Sequence, residues 1–140
     1  MYKTELTYKT YTDKEITETF RFNLNEQELL DLVEDDPIFS PEFLSYVARE
    51  QDTMKMLKVI QKLIVVSYGE MSEDGKYFRK SNERALDFLQ SAAYMAFRDK
   101  LLDGDGEEFM NFLFGVFPEK FVRSMQENAK FQGLAIAAKN

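Results

Sequence analysis

The chain is 140 residues long, 44% apolar and 31% charged, with 13 Phe and 7 Tyr, enough apolar material for one core and too aromatic for a disordered chain. Its formal charge of −7, with Lys and Arg interleaved among the acids, argues against a nucleic-acid ligand, because phosphate affinity comes from clustered cations. Cys and His are absent, so no disulfide, thiolate nucleophile, imidazole base or ordinary zinc site can be built.

These figures predict a single domain that needs neither metal nor cofactor. The longest purely apolar run of the central helical region, Leu63 to Val66, is far short of the roughly 20 residues that cross a bilayer. The N-terminus, Met1-Tyr2-Lys3-Thr4-Glu5, lacks the apolar stretch of a secretory signal. Both features point to the cytoplasm and away from a membrane partner.

Residues 2 to 11 alternate, with Tyr2, Thr4, Leu6, Tyr8 and Thr10 on one side and Lys3, Glu5, Thr7 and Lys9 on the other, as a half-buried strand requires. Thr12-Asp13-Lys14 supplies a polar turn, and Glu15 to Leu24 alternates again with Ile16, Phe20, Phe22 and Leu24 on one face. The pair reads as a β-hairpin over residues 1–24. At Asn25 the period changes to 3.6. Asn25 with Glu28 forms a capping-box pair ahead of Leu29, Leu30 and Val33, so a short helix starts there and ends before Asp35-Asp36-Pro37. Ser40-Pro41-Glu42 repeats the start signal, combining a cap, a proline at the first helical position and an acid near the positive helix end. Phe43, Leu44, Val47 and Ala48 are the predicted buried stripe. Met54, Leu57, Ile60, Ile64 and Tyr68 continue a helical pattern, capped by Asp52 or Thr53 and stopping at Gly69.

Residues 69 to 80 read as a loop or a small hairpin, with Asp74-Gly75 as a turn signal. Ser81 or Asn82 then caps one long helix on Ala85, Phe88, Leu89, Ala92, Met95 and Ala96, ending near Leu102. A short helix follows with Phe109, Phe112 and Leu113 up to Gly115, and Pro118 opens a last one with Phe121, Val122 and Met125. The resulting expectation is a mainly α protein with a small N-terminal β-hairpin (α+β): about five helices over residues 25–132 and a frayed tail over 133–140.

Asp103-Gly104-Asp105-Gly106-Glu107-Glu108 superficially resembles a calcium loop but lacks the remaining alternating oxygen ligands and the twelfth-position acid, and reads better as a turn with Asp105 as N-cap. Asp13, Glu34, Asp35 and Asp36 read as solvated turn charges. Five Phe lie between Phe109 and Phe121, more than one face of a short helix usually buries. Gly115 and Pro118 interrupt the pattern, so the aromatics on either side cannot all share one buried stripe and some should project outward. Phe114, Phe117, Phe121 and Met125 are therefore the candidate protein-binding residues, against the plainer reading that the cluster is core.

Several segments resemble a known family when taken in order. They are Phe22-Asn23-Leu24-Asn25 followed by Glu28-Leu29-Leu30, then Tyr68-Gly69-Glu70, then Asp74-Gly75-Lys76-Tyr77-Phe78-Arg79-Lys80-Ser81. After these come Phe88-Leu89-Gln90-Ser91-Ala92-Ala93-Tyr94 and Phe109-Met110-Asn111-Phe112-Leu113-Phe114-Gly115-Val116-Phe117-Pro118. Together they resemble the tail assembly chaperones of long-tailed bacteriophages and prophages, from about residue 15 to 122. The resemblance implies a non-enzymatic protein of the host cytoplasm that holds the tape-measure protein while tail-tube subunits assemble around it, with the tail-tube protein as a further partner and a homo-oligomer left open. Phe114 and Phe117 stand where smaller aliphatic residues would be expected. The composition suits such a keeper, since Met and Phe supply adaptable apolar surface and net charge keeps complexes apart. Two other readings compete: an acidic inhibitor that imitates nucleic acid and blocks a nucleic-acid-processing enzyme, and a carboxylate-dependent hydrolase, which needs a pocket with paired acids.

Overall fold

The computed structural model describes residues 1–131, with the side chains of Met125 and of residues 128–131 outside that description. The frayed tail expected after Gly133 lies outside the described residues.

Strands β1 (Tyr2–Lys9) and β2 (Glu15–Phe22) form the N-terminal hairpin in the register Tyr2↔Phe22 to Lys9↔Glu15. Their alternation separates the two faces as anticipated, with Tyr2, Thr4, Leu6, Phe20 and Phe22 buried and Lys3, Glu5, Thr7 and Lys9 exposed. Asp13 is more than a solvated turn charge. It adopts the left-handed conformation (φ 63°) behind a tight turn closed by its N–H donating to Thr10 O at 2.9 Å, as a three-residue hairpin loop requires.

Among the described residues seven α-helices follow, where about five were expected: α1 (Glu26–Asp35), α2 (Pro41–Glu50), α3 (Thr53–Ser67), α4 (Asn82–Leu89), α5 (Ala92–Leu102), α6 (Glu107–Val116) and α7 (Glu119–Phe131). Asn25 and Glu28 make the reciprocal capping box of α1, and Ser40, Asp52 and Ser81 cap α2, α3 and α4 through their side chains. One of the extra helices comes from a break in the long helix predicted over 81–102. Ser91 turns its hydroxyl back onto Phe88 O at 2.6 Å, and Tyr11 from the hairpin turn donates to Gln90 O at 3.0 Å. At these two carbonyls α4 ends, and the helical phase restarts in α5. The buried face of α5 is consequently Ala93, Tyr94, Phe97 and Leu101, whereas Met95 is exposed. Likewise α3 buries Met56, Val59, Ile60, Leu63 and Ile64, and Met54 points to solvent. Gly106 in the left-handed conformation, not Asp105, precedes α6, although Asp105 Oδ1 does accept the Glu107 N–H at 3.2 Å.

Residues 68–79 form a second hairpin, β3 (Tyr68–Met71) and β4 (Phe78–Arg79), which extends the first into a four-stranded antiparallel sheet of order β1-β2-β3-β4. Gly69 permits the fold-back: a methyl group there would lie 2.5 Å from the Phe78 ring. Helices α5 and α6 pack against β1 and α4 against β3. At the centre Phe22 is fully buried, stacked on Phe97 at 5.1 Å and met edge-on by Phe88 and Phe112. Tyr2 closes this cluster and donates its hydroxyl to Glu108 at 2.7 Å. Burial, with the Glu108 carboxylate beside it, raises the Tyr2 phenol well above its ordinary value. The group therefore remains a donor that ties β1 to α6.

Candidate functional site

The four residues singled out in the sequence lie at the junction of α6 and α7. Gly115 does not interrupt α6, which runs through it to Val116. The glycine is there because a methyl group would come within 2.9 Å of Tyr2 Cβ and 3.3 Å of Tyr2 Cα. Phe117, in extended conformation just past the helix, turns inward and is 4% exposed. Its ring meets Phe121 edge-on at 4.9 Å, and Phe114 and Phe121 are half-buried against the core. Phe117 is therefore a packing residue, and α7 lies on α2. Only the uncovered parts of Phe114 and Phe121 remain available to a partner; the side chain of Met125 lies outside the described residues.

A second surface is formed where α1, the end of α3 and the start of α4 meet. Leu24, Leu32, Val65 and Val66 line an open groove of about 380 Å³. Val65 is 40% exposed, which on a helix end beside a cleft leaves its branched side chain uncovered. One wall is the α1 stripe Glu28, Asp31 and Asp35, which helical geometry places on one side because the spacings are three and four. Lys80, Ser81 and Asn82 complete the lining beside Glu28. Lys80 is fixed from two directions, its ammonium donating to Asn23 O at 2.9 Å and standing 2.6 Å from Glu28 Oε2. Glu28 meanwhile accepts the Asn25 N–H through Oε1 at 3.0 Å. Asp31 and Asp35 are exposed. The α1 stripe was legible as spacing, but nothing local joins it to Val65 and Lys80, which the sheet brings in from residues 65–80.

Asp36, expected to be a solvated turn charge, has a structural task. It caps a single 3₁₀ turn at Pro37–Phe39 by accepting the Ile38 N–H at 3.1 Å, and it pairs with Lys62 at 2.6 Å. The Lys62 ammonium, then the Ile38 N–H, hold its carboxyl below the usual carboxylate range. In the Asp103–Glu108 loop the Asp105 carbonyl accepts from the Gln51 side chain. Among the described residues no three acidic side chains converge as a metal site, and no helix is long and apolar enough to cross a membrane.

The structure is thus an α+β protein whose sheet is covered on one face by helices and whose surface carries an open groove lined by both apolar and charged side chains. The chain belongs to the phage tail assembly chaperone family, which it matches over residues 1–139. Comparison with curated proteins and with solved structures returned no match.

Proposed function

We propose that this protein binds a helical, largely apolar segment of the phage tape-measure protein and keeps it soluble in the host cytoplasm until tail-tube subunits enclose it, without chemistry of its own. The groove between α1, α3 and α4 is the observation that carries this reading. Its apolar lining residues, Leu24, Leu32, Val65 and Val66, suit the apolar stripe of an amphipathic helix, and such helices dock through residues spaced three and four apart. Its exposed acids Asp31 and Asp35 favour a segment carrying Lys or Arg beside that stripe, since rim charges steer encounter and set register. The uncovered parts of Phe114 and Phe121, with Met125, form the second contact we assign.

Co-expression with the tape-measure protein separates the two surfaces. Val65→Asp with Asp35→Lys should abolish co-purification while leaving thermal unfolding within a few degrees of the parent, because both positions are surface ones. Phe114→Ser with Phe121→Ser should weaken recovery less. Full recovery from the groove variant would remove the groove from the proposal, and failure of the unaltered protein to retain tape-measure protein in the soluble fraction would remove the proposal itself.

A further inference from the structure

The two edges of the sheet differ in length. β4 is two residues long, too short to template a neighbour, whereas β1 is eight residues long and has no second strand beside it among the described residues. The direction of its free backbone groups follows from the turn. Thr10 N–H donates to Lys14 O, and antiparallel ladders alternate bonded and non-bonded pairs, so Tyr2, Thr4, Leu6 and Tyr8 bond to β2. The N–H and C=O groups of Lys3, Glu5, Thr7 and Lys9 therefore point away from the sheet. The 2.8 Å contact between the Thr7 and Thr17 hydroxyls agrees with this, since side chains approach most closely in non-bonded pairs. No hydrogen bond among the described residues reaches the outer backbone groups of these four. β1 also lacks the proline or bulge that commonly blunts an edge.

We propose that β1 is a self-association edge: two copies of this chain pair their β1 strands antiparallel about a two-fold axis at Thr7, giving one continuous eight-stranded sheet. The charge pattern selects that register. Centring on Thr7 sets Glu5 of each copy opposite Lys9 of the other and Thr7 opposite Thr7. Centring on Leu6 sets Lys3 against Lys9, and centring on Glu5 sets that acid against itself. Like charges directly opposite destabilise a ladder, and opposite ones stabilise it. An edge guarded only against aggregation needs no such match, and a row of one sign would serve better. On the inner face the same register places Leu6 of one copy opposite the half-buried Tyr8 of the other, extending the apolar surface across the junction. The axis lies away from Tyr2, whose backbone is crowded by Gly115 of α6. Strand pairing alone buries less than a permanent dimer does, so the association is weak and concentration-dependent. The inference is independent of what the groove binds.

Because the chain has no Cys, a single introduced thiol reports the pairing. In a bonded antiparallel pair the Cα atoms lie about 5.5 Å apart, within the usual disulfide span of roughly 4.4–6.8 Å. Thr7→Cys should cross-link to a covalent dimer under mild oxidation much faster than Lys3→Cys, which this register sets opposite position 11 of the other copy and far from the second introduced thiol. Sedimentation at protein concentrations up to about 1 mM should show reversible dimers of the parent, weakened roughly tenfold by Glu5→Lys or by Lys9→Glu alone and restored by the two together. All three variants alter exposed side chains, so far-UV spectra should match the parent. A parent that stays monomeric, a dimer indifferent to both single reversals, or equal cross-linking at positions 3 and 7 would each overturn the proposal.

Discussion

Two parts of this molecule are rich in phenylalanine and use it differently. Around Phe22, rings from β1, β2, α4, α5 and α6 meet at 5–6 Å, in stacked, tilted and edge-on arrangements, and Phe22, Phe97 and Phe112 are fully buried. Between Phe114 and Phe121 the rings are graded, with Phe117 inside and Phe114 and Phe121 half-covered. The first cluster holds sheet and helices together, and the second attaches one terminal helix to α2. Aromatic density in sequence thus measures how much apolar area is present and says little about where the solvent boundary falls.

The largest test of this contrast is Phe22→Ala. Removing a ring that five others contact should cost about 3–5 kcal/mol, and against a total stability of roughly 5–15 kcal/mol the variant should be close to unfolding at ordinary temperature. Denaturant midpoints measure this directly. A loss under about 1 kcal/mol would mean that the hairpin is not anchored through Phe22.

Legibility in the sequence followed the range of the interaction. Caps, turns and strand faces are set by residues within four positions of each other, and Asn25–Glu28, Ser40, Asp52 and the β1–β2 alternation were all readable. The break between α4 and α5 was not: its local mark is the single Ser91, bonded back to Phe88 O, inside a continuing apolar spacing, and the other contact there, from Tyr11 to Gln90 O, spans 79 residues. Missing that break misplaced the α5 stripe, so Phe97, the ring stacked on Phe22, went unrecognised. Gly115 shows the same blindness. Local spacing makes it a helix interruption, whereas its cause is the approach of Tyr2 across the fold. The groove suffered most, since its floor and walls come from three segments that no spacing connects.

Within the second cluster, Phe117→Ala should cost about 3 kcal/mol, because it empties a filled position, and Phe114→Ala about 1–2 kcal/mol, because part of that ring is already in water. Urea denaturation of the two variants side by side gives the order. Equal losses, or a larger loss at Phe114, would break the graded picture and return Phe117 to the exposed surface.

Gly115→Ala sharpens the boundary between the clusters, since it acts where α6 meets β1. Helix propensity alone favours alanine by about 1 kcal/mol. The added methyl, however, would meet Tyr2 Cβ at 2.9 Å and Tyr2 Cα at 3.3 Å, and overpacking typically costs about 1–3 kcal/mol. Tyr2 cannot retreat easily, because its backbone is paired with Phe22. A net loss of about 1 kcal/mol is expected on combining these two terms. A stabilised variant would show that β1 can shift away from α6.

The smallest expected effect lies outside both clusters, at the turn between α1 and α2 that Asp36 holds. Its carboxyl is depressed by Lys62 first and by the Ile38 N–H second, so the native state favours the ionised form. A depressed carboxylate contributes stability that is fully present above its unfolded value, about 3.9, and is lost as pH falls through the lower folded value. Asp36→Asn keeps an oxygen for the Ile38 N–H and removes the charge. Because the Lys62 partner is half exposed, the loss at pH 7 should be about 0.5 kcal/mol. Urea midpoints of the parent and Asp36→Asn should differ at pH 7, begin to draw together as pH falls below about 4, meet only below the lower folded value, and also draw together at high salt, which screens exposed pairs. A difference that high salt leaves in full would assign the effect to the capping hydrogen bond and not to the ion pair.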